Sequence, residues 1–427
     1  MSEPGDSPVR RPVNVLLAVF MAAALTTVVL LVLLPNLWYG LHDITDIPVY
    51  HGYAQRIANG ERPFTSAFRV EYPPLAVPLF TLPGHTSDPE AYQTWFSLFM
   101  GLLAVLTAAV TTLAACRLWP HGGRAYVAAA LSAVAVALTG AIIVNRYDVA
   151  VALIIAIVLL CLSRRWYAAA AFALGLGFAL KLTPAALLPL VLLMAPRGRR
   201  LLPLAAFGAA AVAPFVPYLF TSPGGLWYVF RYHIERPLQI ESVLGTPQLL
   251  GQLLGAGWAE HGWSHGSHSL VAPGVGPAAD VSGGLTLIAV AAVYLLVWRR
   301  RERLRATPPD QVIAVLALIL ALMTFGKVLS PQYFIWTLPA WVLVAARDRV
   351  IAVVGGLALL LTQVEFPALY WRLLEMQPDA LAVVVARNTL LLATFAIAAW
   401  RLWELPGEAA AIEPRTSRSG SPPSSRR

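Results

Sequence analysis

Residues 36–74 read NLWYGLHDITDIPVYHGYAQRIANGERPFTSAFRVEYPP. This polar stretch follows one long apolar run and precedes the next. It holds two carboxylates, Asp43 and Asp46, then a segment with aromatic and polar positions over 49–59. A turn at Gly60 and Pro63 and the rigid pair Pro73-Pro74 close it. An acid fixed at the edge of a bilayer is costly to place there, and such residues mark functional positions.

Composition decides the setting. Of 427 residues, 58% are hydrophobic and 12% charged, against about 25% charged in an average soluble domain. The mean hydropathy is +0.67. These figures exclude an ordinary soluble domain and predict an all-α polytopic membrane protein, whose helices satisfy their own backbone groups in lipid. The net charge of +9 is not a nucleic-acid footprint. The arginines fall in short clusters between apolar runs, as topology determinants do. The 2 cysteines, Cys116 and Cys161, lie in apolar helical context and are expected to be free thiols.

Residues 13–35 are long enough to span, and no small-residue cleavage site follows, so the run reads as a signal anchor. With Arg10-Arg11 inside by the positive-inside rule, residues 36–74 are extracytoplasmic. Residues 75–82, interrupted by Pro78, fall short of the about 20 residues that a crossing takes and read as re-entrant or interfacial. Further crossings are expected over 91–115, 125–144 and 149–162. Between Arg165 and Arg197, both basic flanks face inside, which requires a hairpin of two short helices with Lys181 at its outer turn. Crossings follow over 201–220 (kinked at Pro203, Pro214 and Pro217), 285–298, 311–325, 334–346, 350–364 and 380–400. Residues 221–284 form a long outer segment rich in Gly, His, Trp and Ser. About twelve crossings with both termini inside result. The chain divides into a tail (1–12), a transmembrane body (13–403) and a basic, Ser/Pro-rich tail (404–427) of the composition that stays disordered. No internal repeat relates the halves, which weighs against a secondary-transporter architecture.

On this topology one face collects Asp43, Asp46, Tyr50, Tyr72, Arg146, Asp148, Lys181, His233, Glu235, Arg236, Gln239, Glu241, Ser242, Gln248, Lys327, Ser330 and Gln332. Acids, cations and amides drawn from distant parts of the chain suit a site at the membrane–water interface. Sugar transfer from a lipid phosphate would need one carboxylate, acting as general base on the acceptor hydroxyl, because the phosphate departs without a proton. Glycoside hydrolysis differs in needing a second carboxyl to protonate its leaving group. Cations then stabilise the phosphate. Asp46 fits the base, and Lys181, Arg146 and Lys327 fit the phosphate side. Asp43, Tyr50, Tyr72, Asp148, Glu241, Ser242, Gln248, Ser330 and Gln332 are further substrate-binding candidates. Plainer alternatives stand beside these: Asp43 and Asp46 as helix N-caps, Lys181 snorkelling to the interface, Arg146 with Asp148 as a structural pair, and Glu241-Ser242 as a cap. His261, His265 and His268 have loose metal-ligand spacing with no carboxylate or Cys to frame them, so neither a metal nor another cofactor is expected.

Three blocks in order, Asp46-Ile47-Pro48-Val49-Tyr50, Asn59-Gly60-Glu61-Arg62-Pro63-Phe64 and Glu71-Tyr72-Pro73-Pro74-Leu75, resemble the D-x-x-V-Y, G-x-x-P-Y and Y-P-P signature of glycosyltransferase family 87. Phe64 stands where that family usually has Tyr. Arg146-Tyr147-Asp148, the GFALKLTP run at 177–184, residues 238–242 and residues 327–333 resemble further blocks of the family, so the resemblance covers 35–333. It implies a GT-C fold in the plasma membrane with an outward-facing site. The activity it implies is that of an inverting mannosyltransferase with a polyprenyl-phosphate sugar as donor and a cell-envelope lipid or glycan as acceptor. The family's base aspartate follows the first helix; Asp46 occupies that motif position and Asp43 does not. Membrane lipids are expected partners and nucleic acid is not. Two other classes predict different outcomes. A transporter or flippase of a lipid-linked sugar would move it without forming a glycosidic bond, and an envelope polymerase or ligase would give a product ladder.

Overall fold

The computed structural model describes residues 12–33, 44–84 and 86–406. Asp43 and both tails, beyond Pro12 at one end and Pro406 at the other, lie outside the described residues.

The apolar runs become helices. Seven are long and apolar enough to cross a membrane: Val15–Leu33, Pro89–Leu118, Arg197–Thr221, Val275–Arg299, Pro308–Phe325, Arg349–Ala368 and Pro378–Trp403. Arg124–Thr139, Asp148–Ser163, Tyr167–Leu180 and Thr183–Met194 are shorter apolar helices among them. The chain is an all-α, multi-pass membrane protein. Its lipid-compatible faces are plain: Leu16 on the first helix is 84% exposed and Leu201 80%, an arrangement that suits only an apolar surrounding.

Local chemistry sets the breaks. Gly140, at φ +65°, ends Arg124–Thr139 in a conformation that a side chain would strain. The expected 125–144 crossing is therefore a helix followed by a separate turn, Ile142–Asn145, that delivers Arg146. Lys181 is extended (φ −160°, ψ 117°), and Pro184 leads a tight turn, Thr183–Leu187, into Leu188–Met194. The hairpin expected between Arg165 and Arg197 is present with Lys181 at its bend. Residues 75–82 hold a six-residue helix, Ala76–Thr81, tied to that bend by Leu75 N–H donating to Ala179 O at 2.9 Å. Tyr167–Leu180 packs on Leu201–Val212 so closely that a methyl added at Gly175 would lie 2.5 Å from Phe207 O, the small-residue contact by which membrane helices associate.

One boundary needs correction, and the 221–284 segment is largely structured. It carries the helices Pro223–Glu235 and Thr246–Leu253 and an antiparallel hairpin, Glu260–Ser264 with Ser267–Val271. The helix expected over 285–298 begins earlier, as Val275–Arg299, because Ala278, Ala279 and Val275 pack into the small core formed with Leu249 and Leu270.

Ion pairs at one end and a shared cavity at the other sort the connections to two poles. At one pole lie the basic clusters. Asp310 receives Arg303 and Arg347, both at 2.9 Å. Asp348 caps the helix that begins at Arg349 and receives Arg401 at 2.8 Å. The other pole gathers residues 44–74, 145–148, 181–184, 221–274, 326–333 and 364–377.

Candidate active site

At this second pole a cavity of about 230 Å³ opens among Ile44–Asp46, Glu71–Pro73, Arg146, Tyr147, Lys181, the Tyr232–Glu241 segment, the hairpin and Ser330–Tyr333. Its geometry starts from Asp46. The helix Ile47–Ala58 begins with Pro48 in its first turn, and Asp46 occupies its N-cap position without making a side-chain cap bond. Thr45 takes that duty instead, its hydroxyl oxygen accepting from Ile47 N–H at 3.2 Å. The Asp46 carboxylate, 32% exposed, is left to Arg146 Nε at 3.3 Å and to the Tyr50 hydroxyl at 3.4 Å. Capping alone does not account for Asp46.

Arg146 holds this corner together. Its Nη2 donates to Ile44 O at 3.2 Å and its Nη1 to Thr45 Oγ1 at 3.4 Å. Beneath it lies an aromatic floor: Tyr50 stacks on Phe80 with centroids 4.4 Å apart, and Tyr72 meets Tyr147 edge-on at 5.3 Å. Tyr50 is therefore a support of the acid rather than a wall of the cavity, whereas Tyr72 lines it.

Lys181 does not snorkel. Its Nζ donates to Asp148 Oδ1 at 2.6 Å and lies 4.8, 5.1 and 4.9 Å from the ring centroids of Tyr147, Tyr333 and Trp336. Trp336 Nε1 donates to the same Asp148 oxygen at 2.6 Å. The cation is thus fixed by one buried carboxylate and three rings, geometry that rewards a positive charge. The alternative of an Arg146–Asp148 pair is corrected. Arg146 is extended and turns to Asp46, while Asp148 opens the helix Asp148–Ser163 and turns to Lys181.

Among the other expected residues, Glu241, Ser330 and Gln332 line the cavity, with Ser330 Oγ donating to Gln332 Oε1 at 2.5 Å. Ser242 is buried and caps the turn Val243–Gly245, accepting from Gly245 N–H at 3.2 Å. Gln248 sits on the Thr246–Leu253 helix beside Gly274, away from the cavity lining. Lys327 spends its ammonium on Ile234 O at 2.5 Å; burial and the charge of Arg236 hold its pKa below the usual lysine value. Asp43 lies outside the described residues. Among the described residues no three His, Cys, Asp or Glu side chains converge as metal ligands do; His261 bonds Leu374 O at 2.8 Å instead.

Several lining residues were not assigned a role from sequence. Glu71 accepts a hydrogen bond from the Tyr53 hydroxyl, and burial raises its carboxyl above the usual range. Arg236 Nη2 donates to Ser267 Oγ at 2.8 Å, and no described carboxylate lies within ion-pair distance of it. Glu71 stands directly before the Tyr72-Pro73-Pro74 motif, a signal that was available. Burial, then the charges of Arg236 and Lys181, push the His233 imidazole down to about 4. An unfolded chain titrates this group near 6.5. Above that pH, both states are neutral at His233. As pH falls from 6.5 toward 4, the unfolded chain gains a proton that the folded one refuses, and stability drops by up to about 1.4 kcal/mol per pH unit. His233→Gln should flatten the melting-temperature profile over that window in nanodiscs; an unchanged profile would contradict the burial of a neutral ring.

Residues 71–331, more than half of the chain, match the family model described as Glycosyltransferase family 87. The chain belongs to glycosyltransferase family 87. Lys181, Arg146, Asp148, Arg236 and Glu241 fall inside the stretch that defines this family 87 protein, and Asp46 precedes it. No curated protein matches the chain. Among solved structures it is similar to ArnT from Cupriavidus metallidurans bound to undecaprenyl phosphate, at 18% identity over 90% of this chain and 76% of that one, with a TM-score of 0.47. It is also similar to the oligosaccharyltransferase of Archaeoglobus fulgidus in the apo form, at 15% identity over 92% of this chain, with a TM-score of 0.45. The family 87 chain spans 56% of that oligosaccharyltransferase. This is a membrane glycosyltransferase.

Proposed function

We propose that this glycosyltransferase moves a hexose, mannose by the family resemblance, from a polyprenyl-phosphate donor to a lipid or glycan acceptor of the cell envelope. The observation that carries the proposal is one cavity lined by both Asp46 and Lys181, with an acid not committed to capping. The acceptor hydroxyl oxygen attacks the anomeric carbon, and its proton passes to the Asp46 carboxylate. The bond from that carbon to the phosphate oxygen breaks, and the lipid phosphate leaves with the electron pair. A single displacement of this kind inverts the anomeric centre. Lys181 and Arg236 stabilise the phosphate as its charge grows. Arg146 orients Asp46, and the site works without a metal. The cavity pole faces outward across the plasma membrane, and the arginine clusters of the opposite pole, with both termini, face the cytoplasm.

The test is transfer by the purified chain in nanodiscs, from radiolabelled polyprenyl-phosphate mannose to a panel of lipid acceptors. A single-sugar product is expected. Movement of the donor across the bilayer with no glycosidic product would overturn the assignment in favour of a flippase, and a ladder of products in favour of a polymerase.

A further inference from the structure

One wall of the cavity is made differently from the rest. Gln239, Glu241, Trp263, His268 and Tyr370 all line it. Gln239 is 4% and Glu241 1% exposed. Gln239 Nε2 donates to Glu241 Oε2 at 2.5 Å, which leaves Gln239 Oε1 buried without a protein partner, as is His268 Nδ1. A buried polar atom left unpaired costs about 1–3 kcal/mol, so two on adjoining residues of one cavity mark a place where a ligand completes the hydrogen bonds. Rings frame them: Trp263 and Tyr370 meet the His268 ring edge-on at 4.7 and 5.9 Å. Convergent polar groups beside aromatic faces are what a small polyhydroxylated ligand requires.

Behind this wall lies a charge cluster that the mechanism does not use and of which the sequence reading names Glu241 alone. The Glu241 and Glu365 carboxyls lie near enough for their charges to act on one another. Arg387 Nη2 lies 3.7 Å from Glu365 Oε2 and donates to Glu241 O at 3.0 Å. Glu365 and Arg387 are completely buried. Two carboxyls and one guanidinium sealed from water balance only when one carboxyl keeps its proton. Burial, then the charge of Glu365, raises the Glu241 carboxyl well above the usual range. A protonated acid can donate as well as accept, which suits a hydroxyl.

We propose that Gln239, Glu241 and His268, beside the Trp263 and Tyr370 rings, form a subsite for the hydroxyls of a sugar ring, with the buried Glu365–Arg387 pair positioning Glu241. This rests on the transfer reading above and adds to it the part of the cavity that holds carbohydrate, distinct from the Lys181 side that holds phosphate. Two sugars can supply the same chemistry, the donor hexose and a sugar on the acceptor.

The experiment measures KM for each substrate separately, with undecaprenyl-phosphate mannose as donor and octyl mannoside as acceptor, in nanodiscs. The variants are Gln239→Ala, Glu241→Gln, His268→Ala and Glu365→Gln. KM for one of the two is expected to rise about tenfold in the three lining variants, the loss of one or two hydrogen bonds to hydroxyls, with the other KM unmoved. A donor-side rise assigns the donor hexose, and an acceptor-side rise the acceptor sugar. Glu365→Gln is expected to move the same KM in the same direction, whereas a merely structural loss would lower the amount of active enzyme and leave KM alone. Should Glu241→Gln fail to fold, Gln239→Ala and His268→Ala decide the matter. An active wild type with both KM values unchanged in the lining variants overturns the subsite while leaving the transfer reading intact. A wild type that makes no product at all overturns the transfer reading, and the subsite falls with it.

Discussion

Asp46→Asn is expected to lower turnover by about 10²–10⁴-fold, the range of a lost general base, while the protein still inserts and melts close to the wild-type temperature. The expectation comes from what Asp46 does not do. It occupies an N-cap position yet leaves the capping to Thr45, so replacing it removes little helix stability. Its carboxylate is partly exposed to the cavity and faces Arg146 and Tyr50. The amide keeps size and shape but cannot take up the acceptor's proton. Turnover near the wild-type rate would move the base to another cavity carboxyl, Glu71 being the nearest in sequence to the motif.

Lys181→Met should have a comparably large effect, and one that can be separated into two parts. Asp148 is fully buried and takes its bonds from Lys181 and Trp336. Removing the cation leaves a buried carboxylate without its counter-charge, which costs about 3–5 kcal/mol and should show as a lowered melting temperature. It also removes the charge that meets the phosphate, so transfer falls. Pairing Lys181→Met with Asp148→Asn neutralises the orphaned acid. The double variant is expected to recover most of the melting temperature and none of the activity. Recovery of activity together with stability would reduce Lys181 to a structural ion-pair partner.

Much of the architecture was legible because charge placement and apolar length constrain it tightly. Arg165 and Arg197 flank one apolar stretch of the sequence, and a stretch that starts and ends on one side must turn, which put Lys181 at a bend before any geometry was known. The sharing of one pole by Asp46 and Lys181 followed from the same counting. Partner choice was not legible. Arg146 and Asp148 are two positions apart, and which way each points depends on where a helix begins; Tyr147 separates an extended residue from a helical one, and no periodicity reports that. The hairpin was hidden for a related reason. Its turn uses His265 at φ +49° and Gly266 at φ +62°, a pair without the Asn-Gly or Asp-Gly signature of such turns. Lys327 and Gln248 shared the expected face, yet face alone does not fix direction, and one turns to a carbonyl while the other packs beside Gly274. Glu365 and Arg387 could have been found, since ionisable residues within apolar runs are functional candidates by default.

The central claim is a direct displacement at a lipid-linked sugar, and the anomeric configuration of the glycoside made from a β-linked polyprenyl-phosphate mannose tests it most closely. An α-linked product, read by NMR from the purified wild-type chain, is the predicted result. A β-linked product would require two displacements and a covalent intermediate, and would contradict the single-carboxylate mechanism built on Asp46.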